Sequence, residues 1–345
     1  MQRKGILRFL SVIFISLFII LYNGNKIIKN LNQTEFEEET PFFNETYIFD
    51  YVETEEKEAQ ETVEEPQNNV KDEDTEEIVQ TAAGAVKGKI ITSYASPYAG
   101  STSYSGVYLK NSTTANINLK SLLESKLGFE IKSGDQPQVL IMHTHTTESY
   151  MMNDSDVYTE DYTSRSTDDS KNMVKIGGII AQKLNAAGVK TVHAKKHHDY
   201  PRYNGSYGRS ANTVTEYLKK YPSIKVVLDI HRDALSKNES DKVKLVTEID
   251  GKKAAQVMLV MGSETGSVKN HPKWKENLKL AVKLQNLLAK DYPTLARPIR
   301  LVSSKYNQNL TTGSLLIEVG TDANTLEEAC YSAELLGNTI SKLLK

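Results

Sequence analysis

From Pro137 to the C-terminus, short aliphatic runs alternate with longer amphipathic stretches, and that alternation leaves few architectures open. Residues 138–142, 189–193, 224–231, 242–249, 255–261 and 314–319 read as strands, each rich in Val, Ile or Leu. Between and after them, 169–187, 210–220, 274–288 and 325–344 carry apolar residues at helical spacing. In the first of these helices Val174, Ile176, Ile179, Ile180 and Leu184 supply the apolar stripe, and Gly188 is its stop. Residues 299–302 read as an edge strand, and a short amphipathic helix is expected near 119–127. The pattern predicts an α/β fold: a mostly parallel or mixed sheet with helices on both faces. In such sheets ligands bind beyond the carboxyl ends of the strands.

What precedes this part is of a different character. Arg3, Lys4 and Arg8 lead into the almost wholly apolar stretch 9–22, which predicts an uncleaved membrane anchor over 1–24 with an exported body. No small-x-small cleavage pattern follows it. Residues 35–77 hold 18 of the 44 acidic residues against two basic ones, Lys57 and Lys71. Such a stretch repels itself and has little to bury, so 25–90 is expected to be a disordered linker. The catalytic domain is placed at 91–345. From residue 78 onward the chain carries 35 basic and 26 acidic residues, a balance suited to a polyanionic surrounding such as cell wall or anionic membrane. Clusters of interleaved aromatic and basic residues are missing, so nucleic acid is not expected as a partner. A single cysteine, Cys330, rules out an intramolecular disulfide and a Cys-based zinc site.

The chemistry gathers at strand ends. The run 139–142 leads to His145 and Glu148, the run 226–230 ends at His231, and 315–317 ends at Glu318. Two imidazoles and a carboxylate are a usual ligand set for a hydrolytic zinc centre, and a further carboxylate is what such a centre uses to move protons. Glu318 is followed by Val319 and Gly320, and Gly320 lets backbone come close to the site. His143 and His145, two apart, are expected to point the same way, so either could be the first ligand. His193, His197 and His198 sit among lysines and are expected at the surface. Arg209, Arg232 and Asp233 suit either binding a substrate carboxylate or an ordinary ion pair. An eight-unit barrel of the amidohydrolase or phosphoesterase kind is an alternative, disfavoured by the small number of strand–helix units. A wall-tethered scaffold without catalysis is the non-enzymatic alternative.

Five strings then carry a resemblance: PQVLIMHTHTTESY at 137–150, YNGSY at 203–207, VLDIHRDA at 227–234, LLIEVG at 315–320 and NTLEE at 324–328. Together they resemble the stage II sporulation protein P family over about 105–345. That resemblance implies a sporulation cell-wall hydrolase with the fold of the zinc N-acetylmuramoyl-L-alanine amidases (a zinc carboxypeptidase-like or phosphorylase/hydrolase-like α/β fold). It implies cleavage between muramic acid and the stem peptide in septal wall degradation and engulfment, with an endopeptidase activity credited as well. It further implies a single-pass protein of the mother-cell membrane whose domain faces the septal wall, acting on peptidoglycan together with stage II sporulation proteins D and M. Carried over residue by residue, His231 takes the place of the late zinc histidine and Glu318 that of the catalytic glutamate. The first histidine is His145 or His143. The carboxylate ligand is Glu148, by its His-x-x-Glu spacing, or Asp169, by its place before the first helix.

Overall fold

The computed structural model describes residues 84–345 apart from Ser101 and Ser133. The anchor expected at 1–24, and the linker as far as residue 83, lie outside the described residues. Among the described residues no helix is long and apolar enough to cross a membrane.

In chain order the elements are β1 (Val86–Ser93), β2 (Thr102–Tyr104), β3 (Val107–Asn111), α1 (Leu119–Glu124), β4 (Val139–Met142) and β5 (Val157–Thr159). They continue with α2 (Met173–Ala186), β6 (Thr191–His193), α3 (Ser206–Lys220), β7 (Val226–Asp233), β8 (Lys242–Ile249) and β9 (Lys252–Ala255). Then come β10 (Val257–Gly262), α4 (Trp274–Asp291), β11 (Ile299–Val302), β12 (Ser314–Thr321) and α5 (Leu326–Leu344).

Eight strands form the main sheet in the order β2-β3-β11-β10-β12-β7-β4-β6. β12, β7, β4 and β6 run parallel, as do β3, β11 and β10, and the two sets meet antiparallel at β10 and β12. The expected mixed α/β sheet is therefore present. β11 differs from the edge position expected of it, since it lies between β10 and β3. The physical reason is β3, where Val107 and Leu109 are fully buried and pair the chain onto β11.

A second sheet, β5-β1-β8-β9, was not legible in the sequence. β1 begins at Val86, inside the stretch expected as linker, and pairs in parallel with β8 through Ile90–Ser93. Its alternation is weak: Ile90 alone of its eight residues is buried, against Tyr158 and Ala323.

β4 is buried on both faces, which is why it is apolar throughout rather than alternating. Val139 and Ile141 enter the main core, while Leu140 and Met142 face a separate cluster with Val214 of α3 and Val227 of β7. Among the described residues α2, α4 and α5 pack on the first face and α3 on the second. Each fully buried aliphatic side chain contributes about 1.5–3 kcal/mol, so this layering holds the strand ends in place.

Two helix starts differ from the expected ones, and both bear on the site. α2 begins at Met173, capped by the Asn172 side chain, because Asp168 accepts the Ser170 N–H and turns the chain ahead of the helix. α3 begins four residues early, at Ser206, after Gly205 in the left-handed region (φ 81°). That early start brings Tyr207 and Arg209 into a rigid element.

Candidate metal and proton-transfer site

β4, β7 and β12 are neighbours running the same way, so their carboxyl ends open on one edge. Glu318 of β12 stands in register with His231 of β7, and register partners in parallel strands share a face. Asp229, two residues before His231, shares it too. Beyond Met142 the chain leaves the sheet in a tight turn, with the Glu148 N–H donating to the His145 carbonyl. Thr146 Oγ1 donates within the same turn to the His143 carbonyl. This fold-back lays Glu148 over the end of β7, where the Arg232 N–H donates to Glu148 Oε2 at 3.2 Å.

Around that carboxylate the imidazoles assemble. His231 Nδ1 lies 3.6 Å from Glu148 Oε2, and the rings of His145 and His231 meet edge to face with centroids 5.3 Å apart. On its other side His231 Nε2 is 2.8 Å from Asp229 Oδ1 but off the line an N–H bond requires, so charge attraction holds that contact. Asp229 is fixed in turn by Thr144, whose N–H donates to Oδ1 and whose hydroxyl donates to Oδ2. His145 has Nε2 3.2 Å from the Tyr203 hydroxyl, while its Nδ1 is buried without a partner. Glu318 Oε2 is likewise buried and unbonded. An unsatisfied buried polar atom costs about 1–3 kcal/mol, so three in one small site, His231 Nε2 among them, mark it as built for something besides stability.

The charges follow from burial and neighbours. Burial pushes the Glu318 carboxyl up to about 8; His231 opposes this, and the negative Asp233 and Glu148 add to it. Burial lowers His145 to about 4, against the pull of Glu148. Burial would raise Glu148, but His231 and Arg232 beside it hold it well below the usual carboxylate range. His231 is held well above the ordinary imidazole value, since Asp229 and Glu148 outweigh its burial.

The structure thus brings His145, Glu148, His231 and Glu318 together. It places His143 elsewhere. β4 ends at Met142, so strand alternation does not carry through to His145, and the two histidines do not share a face. His143 is held between β7 and α2: its Nδ1–H donates to the Ile230 carbonyl at 2.9 Å, and its Nε2 accepts from His193 Nε2 at 2.8 Å. Gly177 makes this possible: a Cβ there would stand 2.6 Å from His143 Cε1 and 2.8 Å from His193 Nε2. Asp169 is also apart, half exposed and paired with His197 at 2.7 Å. The expectation that His193 and His198 lie at the surface is corrected. His198 is fully buried, with Nδ1 at the His143 carbonyl and Nε2 at Thr213 Oγ1, because the chain dives under the turn after β4.

Several residues of the site stand in the quoted strings or nearby but were given no role from sequence. Asp229 carried a signal, being a lone charge inside the apolar run of β7. Tyr203 and Tyr207 flank His145, the first stacked on it and the second edge-on. Arg165 lies over the Tyr203 ring and pairs with buried Asp199 at 2.6 Å. Loop packing brings these together over long sequence separations, which no local pattern reports. Of the basic residues noted in the sequence, Arg232 is buried and donates to the Ser149 and Ser164 carbonyls. Asp233 pairs with buried Arg297 at 2.8 Å.

Among the described residues no group of three or more His, Cys, Asp or Glu side chains is placed to hold a metal ion as it stands. His145, Glu148 and His231 are nevertheless neighbours, two imidazoles and a carboxylate are donor types that a zinc-type ion takes, and His145 Nδ1 is buried with no other bond to make.

Comparison with known proteins gives a family. The family model described as stage II sporulation protein P matches residues 17–341. The chain is similar to the stage II sporulation protein P of Bacillus subtilis (strain 168), 31% identical over 222 residues that cover 61% of this chain and 52% of that protein. It therefore spans about half the length of the curated relative it matches. Among solved structures it is similar to the N-acetylmuramoyl-L-alanine amidase AmiC2 of Nostoc punctiforme, at 16% identity and a TM-score of 0.37 over 62% of this chain and 99% of that one. It is also similar to the CwlD amidase of Clostridioides difficile, solved in complex with the GerS lipoprotein, at 14% identity and a TM-score of 0.36 over 60% and 98%.

Proposed function

Because the chain belongs to the stage II sporulation protein P family, we propose that it is a membrane-anchored peptidoglycan hydrolase that cuts the amide bond between N-acetylmuramic acid and the stem peptide. One observation carries the reading: His145, Glu148, His231 and Glu318 converge at the carboxyl edge of three adjacent parallel strands, with His145 Nδ1 and Glu318 Oε2 buried and unbonded. In this reading His145, Glu148 and His231 hold Zn2+. When bound, the ion supplies Lewis acidity towards an amide carbonyl and makes water a better nucleophile at neutral pH.

The protein's own groups do the rest. Asp229, braced by Thr144, keeps His231 oriented from behind. Arg232 fixes Glu148 through its backbone N–H, and its guanidinium ties down the Ser149 and Ser164 carbonyls on either side of the site loop. Glu318, whose carboxyl is raised to about 8, is the group that takes and returns a proton. A carboxyl poised near the working pH can give a proton to a departing amide nitrogen as readily as it accepts one. The apolar stretch at 9–22 serves as the anchor, holding the domain on the mother-cell membrane against the septal wall. Stage II sporulation proteins D and M are the expected partners there.

The test is metal content of the purified full chain together with digestion of purified cell wall, with and without chelator. The reading expects about one zinc per chain and loss of digestion on chelation, restored by Zn2+. Retained hydrolysis in a metal-free preparation would defeat the zinc chemistry. Absence of any digestion by zinc-loaded protein would favour the scaffold instead.

A further inference from the structure

The chain crosses the main sheet between two opposite edges, and the two differ in charge. At the site edge lie the connections 143–172, 194–205, 234–241, 292–298 and 322–325, which hold seven basic and eleven acidic residues. The far edge is where β4, β6, β7 and β12 begin and where β3, β10 and β11 end. Its connections, 112–118, 125–138, 187–190, 221–225, 263–273 and 303–313, hold seven basic and three acidic residues. Lys219 and Lys220, in the last turn of α3, add two more positive charges there.

The backbone gathers these lysines. Gln138, buried at the start of β4, accepts from the Lys225 N–H on its carbonyl and from the Lys132 N–H on its side chain. Its own N–H donates to the Lys190 carbonyl, so three lysines from three connections project from one spot. Lys219 and Lys220 stand next to them, where α3 turns into β7. Seven of the nine lysines of this edge are exposed. Among the described residues only Lys190 of the nine has a carboxylate within reach, Asp135 at 4.0 Å. Like charges gathered on one edge repel each other unless an opposite charge faces them.

We infer that the edge opposite the site is a docking surface for a bilayer with anionic headgroups, which turns the site edge outward, away from the lipid. The inference rests on the proposed anchoring of the chain in a membrane. Two observations favour lipid over an anionic wall polymer. The polymer held here would lie on the wrong side of the sheet from Glu318, and the net acidic site edge is repelled by the same surface that attracts the far one. Each lysine near such a surface strengthens docking about fivefold.

The test places the purified full chain in vesicles of phosphatidylcholine alone or of phosphatidylcholine with phosphatidylglycerol, and maps lysine acylation by a water-soluble reagent with mass spectrometry. The expected result is slower acylation of Lys190, Lys219, Lys220 and Lys273 in the anionic vesicles only, with Lys195, Lys196 and Lys237 of the site edge unchanged. Salt at about 1 M, where the Debye length falls to about 3 Å, should abolish the difference. Replacing Lys219, Lys220 and Lys225 together by Gln should weaken docking about a hundredfold, so that Lys190 and Lys273 react as in neutral vesicles. An unchanged melting temperature of this variant shows that the fold is kept. Equal rates in the two vesicles, or equal slowing at both edges, would overturn the inference while leaving the anchor standing. A chain that does not enter neutral vesicles breaks the anchoring reading instead. In that case salt-reversible sedimentation with anionic vesicles, lost in the triple variant, still supports the docking edge, and sedimentation with neither overturns it.

Discussion

Two histidines separated by one threonine meet opposite fates. His143 is sealed between β7 and α2, each ring nitrogen matched by a partner, and Gly177 leaves it no spare room. His145 stands on the other side of the turn with one nitrogen held by Tyr203 and the other unmatched. A satisfied buried imidazole contributes to stability and has nothing left to offer a ligand. An unsatisfied one costs stability in the absence of a ligand and gains it back on binding. The contrast separates the scaffold from the site more sharply than sequence position does.

The comparison can be broken in four ways. Glu318→Ala lies on the site side and is expected to lower wall digestion about a thousandfold, the usual scale for removing a proton-transfer group, with zinc content unchanged. Turnover near wild type would remove Glu318 from its role. His143→Ala, on the scaffold side, leaves the Ile230 carbonyl and His193 unpaired and is expected to cost about 3 kcal/mol in urea unfolding. Zinc per folded molecule stays the same. His145→Ala should do the reverse, losing zinc with little change in the stability of the metal-free chain, and swapped outcomes would invert our assignment. Gly177→Ala should cost about 2 kcal/mol by forcing a methyl into the His143–His193 contact.

A further effect, spread over a range of pH, is on acid stability. Burial, with Lys195 nearby, lowers His193 to about 4, below its value in the unfolded chain. The unfolded state therefore binds the extra proton first, so this contribution is intact above about pH 6.5 and is lost as the pH falls towards 4. Its slope is at most about 1.4 kcal/mol per pH unit in the metal-free protein. His193→Gln should flatten that part of the stability curve, and an unchanged slope would show that other groups set it.

The order of strands and helices from 137 onward was legible because each element is buried enough to show its period. β4 and β12 are buried on both faces, and α5 starts at a Thr325–Glu328 capping box. β1 was hidden because seven of its eight residues are not buried, so no alternation marks it. The grouping of His145, Glu148, His231 and Glu318 at one sheet edge was legible because each stands at or just past the end of an apolar strand. The pairing of His143 with His193, fifty residues on, was not, because β7 and α2, both distant in sequence, decide together which way that imidazole turns. Nor was the Arg165–Asp199–Tyr203 clamp, in which Arg165 comes from the loop before α2 and the other two from the segment between β6 and α3.

β1 leads the described part of the chain into the fold between two partners, β8 in parallel and β5 antiparallel. Tension applied along that strand from the N-terminal side loads its hydrogen bonds together, in shear, and does not peel them one after another. β5 follows Glu148 by nine residues and β8 follows Asp233 by the same number, so a mechanical pull is shared between the two segments that leave the site.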